Sequence, residues 1–284
     1  MDVVSVERSA SEEEAARIAR REREAAPAGL ASGHPLPHLR WAPIASPVIV
    51  LLIWTALSAS GWFPKEIVVP PEVIWKTFSE SWLSGDLPLN LAKSLNRLVV
   101  GYAIGAAVGI VLGSLMGLSR QVEAYLLPSF HILRQLPTIA LIPAFIMIFG
   151  VGETVKLVLV AKATALPVAL GAFTGVRGVP RSYFDVARIF RVRPLTQFTR
   201  VIVPAVIPAL VTALRTALAR SWMVLVGAEL LVADSGIGQM IEWGRQTFRI
   251  DIVLVGVVLT GAIGFVLDKG FRIAERLLSP PQKR

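Results

Sequence analysis

Long apolar stretches recur along the chain, and they limit its fold more than any other feature of the sequence. A helix needs about 20 apolar residues to cross a bilayer, and six stretches approach or exceed that length. They lie at about 44–62, 95–118, 136–150, 154–174, 206–232 and 250–268. The third is short, so we expect it to extend back into "PSFHILRQLP". The pattern predicts an all-α fold, a polytopic membrane bundle of about six transmembrane helices.

Charged residues are few and unevenly placed. They make up 17% of the chain, against about 25% in soluble domains, and the net charge is +9. A basic protein could bind nucleic acid, but here Lys and Arg lie in short connections between the spans, as the positive-inside rule describes. We therefore predict the lipid bilayer as a partner and no nucleic acid. The chain has no cysteine and only three scattered histidines, so no metal site is predicted.

The distribution of Lys and Arg also predicts the orientation. The connection 176–204 and the segment after residue 268 are strongly basic, whereas the connections on the other side also carry acidic residues. The basic side should face the cytoplasm, so both termini are expected there. Residues 1–42, charged and alanine-rich, are then a cytoplasmic tail, and residues 43–284 form the transmembrane domain.

Glycine recurs every four residues in the second span. The glycines are Gly101, Gly105, Gly109, Gly113 and Gly117. At 3.6 residues per turn they form one strip without side chains, and such a strip lets another backbone approach closely within a bilayer. Two interpretations remain open: tight packing inside one subunit, or packing against a helix that slides or rocks.

The basic stretch 181–210 has helical structure of its own. "SYFDVARIFRV" and "LTQFTRVIV" read as two short helices separated by Pro194. Pro204 and Pro208 then stand where the fifth span begins, since proline is tolerated in the first turn of a helix. The stretch predicts a pair of short helices that projects from the membrane and could dock into a cleft on another protein.

This loop resembles the cytosolic loop of permease subunits in bacterial ATP-binding-cassette importers. That signature has Glu-Ala-Ala, a glycine four residues after the last Ala, and a downstream Ile-x-Leu-Pro. The positions that match it or lie within it are Asp185, Val186, Ala187, Arg188, Arg191, Val201, Val203 and Pro204. The spacing is kept, but Asp replaces Glu, Val replaces the first Ala, and Arg191 replaces the glycine. An arginine there makes a left-handed turn costly.

Other segments are similar to the subfamily that imports sulfonates, taurine, nitrate and bicarbonate. These segments are "LPTIALIPAFIMIFGVGE", "RTALARSWMVLVGAEL" and "SGIGQMIEWGRQTF", and the resemblance covers about residues 64–278. It implies a multi-pass permease domain in the bacterial cytoplasmic membrane, with a coupling loop at about 176–204. The implied partners are a dimer of cytosolic ATPase subunits that holds ATP and Mg, an extracytoplasmic solute-binding protein and a second permease copy. The chain itself would bind no cofactor and, with no phosphate-binding Gly-Lys-Ser/Thr run, would not be an enzyme.

Five charged residues are candidates for positions inside spans: Lys162, Arg215, Arg220, Glu229 and Asp268. Arg215 could reach the cytoplasmic interface and Asp268 lies at the inner end of its span, so Lys162, Arg220 and Glu229 are the candidates for the translocation pathway. Such residues usually face a cavity or each other. In one interpretation they line the translocation pathway and favour an anion; in the other they neutralise one another, with Glu229 as the acid. A further segment between the last two spans carries Gly236, Gly238 and Trp243. It is either an outer gate or dock for the binding protein, or a simple interfacial helix.

A secondary transporter and an intramembrane enzyme are the alternatives to an importer. A secondary transporter for a small anion would need no ATPase, and internal inverted repeats would support it, but no convincing repeat is visible in the sequence. An intramembrane enzyme would need paired catalytic groups at membrane depth, and the sequence offers no such pair. The sequence therefore favours the permease of an ATP-driven importer for a small anionic solute.

Overall fold

The computed structural model describes residue 17, residues 42–62, residue 64 and residues 67–278. The cytoplasmic tail predicted at 1–42 therefore lies almost entirely outside the described residues. Within the described part every regular element is helical. The described residues belong to two units, one ending at Ala59 and one beginning at Ser60.

The first unit contributes one described helix, α1 (Ala42–Ala59). It matches the first predicted span, and its apolar part, Ala45–Ala59, is shorter than the other spans. At about 1.5 Å per residue this apolar part would cover only some 22 Å of the bilayer.

The second unit contains all the remaining helices. In chain order they are α2 (Pro71–Leu83), α3 (Asp86–Leu118), α4 (Arg120–Gln135), a 3-10 turn (Ile139–Leu141), α5 (Ile142–Phe149), α6 (Glu153–Arg177), α7 (Arg181–Ile189), α8 (Pro194–Gln197), a π turn (Phe198–Ile202), α9 (Val203–Val232), α10 (Ile237–Gln246) and α11 (Ile250–Leu278). Helices α3, α6, α9 and α11 are long and apolar enough to cross a membrane, and α8 and the π turn run into α9 as one helix, Leu195–Val232.

The third predicted span is broken, which corrects the expectation that it simply extends back along one helix. Helix α4 and the segment Ile139–Phe149 meet at an angle of 91°. The break follows from Pro137, which lacks an N–H group and pushes the preceding residue out of the helical region. Leu136 is accordingly extended, with φ −71° and ψ 118°. If the bent pair counts as one span, the second unit has five.

The glycine strip of α3 lies against α6 of the same chain. A Cβ atom built on Gly105 would lie 2.4 Å from the carbonyl oxygen of Ala161, and one built on Gly113 would lie 2.1 Å from that of Ala169. These distances leave no room for any side chain. The two backbones therefore touch along the length of the strip. This contact lies within one chain, as the first of the two interpretations expects.

Helix α6 also packs against α9, and a buried polar contact fixes their relative depth. The hydroxyl groups of Thr164 and Ser221 are 2.6 Å apart, and both residues are fully buried. One hydroxyl donates to the other, and the one that accepts donates its own proton to a carbonyl of its own helix, that of Val160 for Thr164 or that of Ala217 for Ser221. Neither is therefore left unsatisfied within the apolar bundle. Helix α6 is thus held between α3 and α9.

Candidate functional site

The predicted coupling loop forms α7 and ends in a left-handed turn. Helix α7 closes with the amide of Arg191 donating to the carbonyl of Arg188 (3.1 Å) and the amide of Val192 donating to that of Ala187 (2.9 Å). This pair of bonds is a Schellman motif, in which the residue after the C-cap takes a positive φ. That residue is Arg191, with φ 49°. The turn expected of the glycine position is therefore present, although an arginine occupies it.

The outer surface of α7 is apolar and open. Ile189 and Phe190 are 77% and 76% exposed, and Asp185 lies exposed on the same helix. We define the coupling surface as Tyr183, Val186, Ile189, Phe190 and Leu195, all of which are exposed. Ala187, by contrast, is buried.

The second half of the loop connects this surface to the membrane spans. Ile202 and Val206 are buried against Val176 and Val179 at the end of α6. Val201 is half-buried, whereas Val203 and Pro204 are exposed. The π turn continues into α9 as part of one helix, Leu195–Val232, so the second half of the loop and the fifth span form a single element.

Glycine in place of Arg191 is expected to stabilise the fold. A non-glycine residue in the left-handed region costs roughly 1 kcal/mol, of which glycine relieves most. We expect Arg191→Gly to raise the thermal unfolding midpoint of the purified protein. Arg193→Gly is the control: it lies two residues on, is exposed and is not among the residues with positive φ, so its midpoint should fall or stay unchanged. A lower midpoint for Arg191→Gly would contradict the assignment of the turn.

A cluster of charges, which the sequence did not predict, joins three spans at the ends predicted to face outward, and all its members but Glu153 are buried. Arg97 of α3 is 4% exposed. Its guanidinium donates to Glu229 of α9 (2.7 Å) and to both carboxylate oxygens of Glu153 of α6 (2.7 and 2.6 Å). Lys156, also buried, donates to Glu153 (2.8 Å). The sequence did hold one signal: Arg97 lies four residues before Gly101, so it continues the glycine strip and must point at α6.

The same cluster holds the segment that leads into α10. Glu229 is fully buried and accepts hydrogen bonds from the hydroxyl of Ser94 (2.9 and 2.8 Å) and from the amide of Gly238 (3.1 Å). Arg97 also donates to the carbonyl and hydroxyl oxygens of Ser235 (2.6 and 2.8 Å). A Cβ on Gly236 would lie 2.4 Å from a carboxylate oxygen of Glu229. The two glycines of the predicted outer gate therefore allow the chain to pass over this buried acid.

Trp243 has a different environment from the two glycines. It is 46% exposed and lines a cleft of about 370 Å³ together with Asp86, Gln239 and Arg249. The Arg245 guanidinium, helped by the Gln246 amide, lowers the pKa of the Glu242 carboxyl to about 2. Helix α10 thus presents an aromatic ring and a permanently charged ion pair at the surface predicted to face outward.

The three residues predicted for the translocation pathway are not brought together. Glu229 pairs with Arg97, so it does not neutralise the other two. Lys162 donates to the carbonyl of Leu136 and to the hydroxyl of Thr138, both at 3.2 Å, and so caps the break between α4 and the 3-10 turn. Arg220 is exposed. Among the described residues it has no hydrogen-bond or ion-pair partner.

Comparison with known proteins identifies the family. Residues 105–280 match the model of the "Binding-protein-dependent transport system inner membrane component" family. A protein of Bacillus subtilis (strain 168) that bears the name aliphatic sulfonates transport permease protein SsuC is 35% identical over 82% of this chain and 84% of its own length. The taurine transport system permease protein TauC of Escherichia coli (strain K12) is 31% identical over 82% and 86%.

The fold agrees with this relationship. A solved inward-facing structure of the MetNI methionine ABC transporter superimposes with a TM-score of 0.56 at 19% identity, covering 66% of this chain and 93% of the other. The chain therefore belongs to the family of binding-protein-dependent transport system inner membrane components: it is a multi-pass permease subunit of an ABC importer in the cytoplasmic membrane, and not an enzyme.

Proposed function

We propose that this permease carries a small anion inward, with aliphatic sulfonates as the first substrate class to test. The relatives with the names SsuC and TauC support this choice of substrate. A sulfonate keeps a full negative charge at any physiological pH. The pathway would therefore need a fixed positive charge without an adjacent acid. Arg220 is such a charge: it is exposed and pairs with no acidic residue in the described part of the chain.

The transport step would be driven by a partner ATPase docked on the coupling surface, and this surface is the observation that carries the proposal. Apolar side chains that project from a basic cytoplasmic loop have no role in a lone membrane bundle, because their contact with water is unfavourable. They match an apolar groove on a soluble partner, and the exposed Asp185 and Arg188 supply polar contacts at its rim. ATP and Mg would be held by that partner.

Two further partners complete the proposed assembly. A second copy of the permease would form the other half of the pathway. The glycine strip is already used against α6, so this second copy must contact other helices. A solute-binding protein would dock on the outer face, where Trp243 and the cleft beside it offer an aromatic anchor. Residues 1–42 would remain a cytoplasmic tail outside this assembly.

An acidic residue on the coupling surface is expected to release the ATPase. Ile189→Asp places a charge where an apolar contact is buried in the complex, and an anchor residue of this kind contributes about 2–4 kcal/mol, or about 30-fold or more in affinity. We expect the partner ATPase encoded beside this permease to co-purify with the tagged wild-type protein and to be lost from the variant. The amounts of the two proteins are compared after affinity purification in mild detergent.

Thr199→Asp is the matched control, because it introduces the same charge into the same loop but replaces an exposed hydroxyl that bonds to its own helix. This control should retain the ATPase. If no ATPase co-purifies with the wild type, or if Ile189→Asp retains it, then α7 is not the docking element. A secondary transporter that works without an ATPase would then be the favoured function.

A further inference from the structure

Arg220 lies near the middle of α9. It precedes Val232, the last residue of the helix, by 12 residues, or about 18 Å at 1.5 Å per residue. Pro204, at the other end, is about 24 Å away by the same measure. The contact between Thr164 and the neighbouring Ser221 places Arg220 beside the middle of α6. Its side chain is too short to bring the guanidinium to either end of the helix.

The other cations at comparable depth have partners. Lys162 caps the broken third span, and Arg215 pairs with Asp268 (2.8 Å) and Glu275 (3.4 Å). Arg220 has none within the described part of the chain. It lies on a face of α9 that is exposed over more than one turn and includes Thr216 and Met223, the latter 72% exposed. The opposite face, with Trp222 and Leu225, is buried.

An unpaired guanidinium at this depth is unstable against lipid tails, so the face that carries it must meet water or a counter-charge. We propose that Arg220 is an anion-recognition residue in a water-filled segment of the translocation pathway, and that Thr216, Arg220 and Met223 line this segment. The ligand class is a small anion with an oxygen fork, such as a sulfonate or nitrate, which a guanidinium can bind in bidentate fashion. This inference rests on the proposed function, which supplies the anion and the second copy that encloses the pathway.

Lys162 then has a different role from Arg220, although the sequence placed them in one group. Its ammonium group donates to the carbonyl of Leu136, at the bend before Pro137, and so supplies a hydrogen bond to backbone that has left the helix. Lys162 is a positioning residue, because its hydrogen bonds to Leu136 and Thr138 fix the bend between α4 and the 3-10 turn.

Because the chain has no cysteine, single cysteines report directly on water access. We expect Thr216→Cys and Met223→Cys to react with charged methanethiosulfonate reagents in the complex reconstituted in nanodiscs, where both faces are accessible. Val258→Cys is the control: it is an apolar position, also exposed, on α11, and a thiol facing lipid should stay unmodified. If Met223→Cys reacts as little as Val258→Cys, the segment around Arg220 is not filled with water.

The charge of the reagent tests Arg220 itself. Residues 220 and 223 are neighbours on a helix, and a positive charge at that distance should favour an anionic over a cationic reagent by about 10-fold at Met223→Cys. Adding Arg220→Gln should reduce that preference to about one, and Arg220→Lys should keep it. Excess ethanesulfonate or nitrate should slow the reaction only when the positive charge is present.

Two results would overturn the anion site: an unchanged preference in Arg220→Gln, or dissociation of the permease dimer by Arg220→Gln, which would make Arg220 an interface residue. Neither readout requires ATP hydrolysis or a binding protein. If the importer proposal is wrong, the wild type fails to retain its ATPase; if only this inference is wrong, the ATPase binds and the reagent preference is absent.

Discussion

Arg97→Met should be the most damaging single substitution in the chain, with an expected loss of about 3–5 kcal/mol in the free energy of unfolding. The guanidinium is the counter-charge for Glu229, which is fully buried, and for Glu153. Without it, a buried carboxylate keeps only the bonds from Ser94 and Gly238. Removing one member of a buried ion pair is costly because the remaining charge stays desolvated.

The measurement is unfolding of the purified permease by heat in detergent, followed by its tryptophan fluorescence. Arg245→Gln is the control, since it breaks a bridge to Glu242 that is exposed and should leave the unfolding midpoint unchanged. The double variant Arg97→Met, Glu229→Gln should recover part of the loss, because both charges are then removed. A change in Arg97→Met no larger than in Arg245→Gln would show that the cluster does not hold α3, α6 and α9 together.

Gly113→Ala should destabilise the bundle by about 3 kcal/mol, although alanine is the better helix former. The added methyl group would lie 2.1 Å from the carbonyl oxygen of Ala169 and 2.8 Å from its Cα. Both atoms belong to the backbone, so α3 and α6 must separate, and overpacking of this kind costs about 1–3 kcal/mol or more. The gain in helix propensity, about 1 kcal/mol, is too small to offset it.

Gly261→Ala provides the opposite expectation within the same protein. Gly261 lies in α11, and a Cβ there would meet nothing within 4 Å, so the substitution should be neutral or slightly stabilising. The two variants are compared by their thermal midpoints and by the yield of folded protein after size-exclusion chromatography. If both shift in the same direction, helix propensity rather than close packing governs the strip.

The helical bundle and the glycine strip could be read from the sequence because they depend on local periodicity. A four-residue repeat of glycine fixes one face of a helix without knowledge of its partner. The loop at 176–204 was placed by its resemblance to a family motif, and its role in coupling stays a prediction. The residue at the glycine position of that motif, Arg191, does have a positive φ of 49°.

Two features depend on contacts between distant residues and could not be read in this way, and a third runs against a local preference. The partner of Glu229 is 132 residues away, in α3, and nothing local selects Arg97 over the other basic residues. The bend after Leu136 is stabilised by Lys162, 26 residues on, which pattern alone could not separate from a pathway lysine. The left-handed turn at Arg191 runs against the preference of the residue itself, since the hydrogen bonds at the end of α7 override it.

The most direct test of the account is ATP hydrolysis by the permease reconstituted in nanodiscs with its partner ATPase, its solute-binding protein and an aliphatic sulfonate. We expect hydrolysis by the wild type to rise several-fold when the loaded binding protein is added, and Ile189→Asp to abolish that rise while Thr199→Asp retains it. Hydrolysis that is indifferent to the binding protein, or equal in Ile189→Asp and the wild type, would contradict coupling of a solute importer through α7.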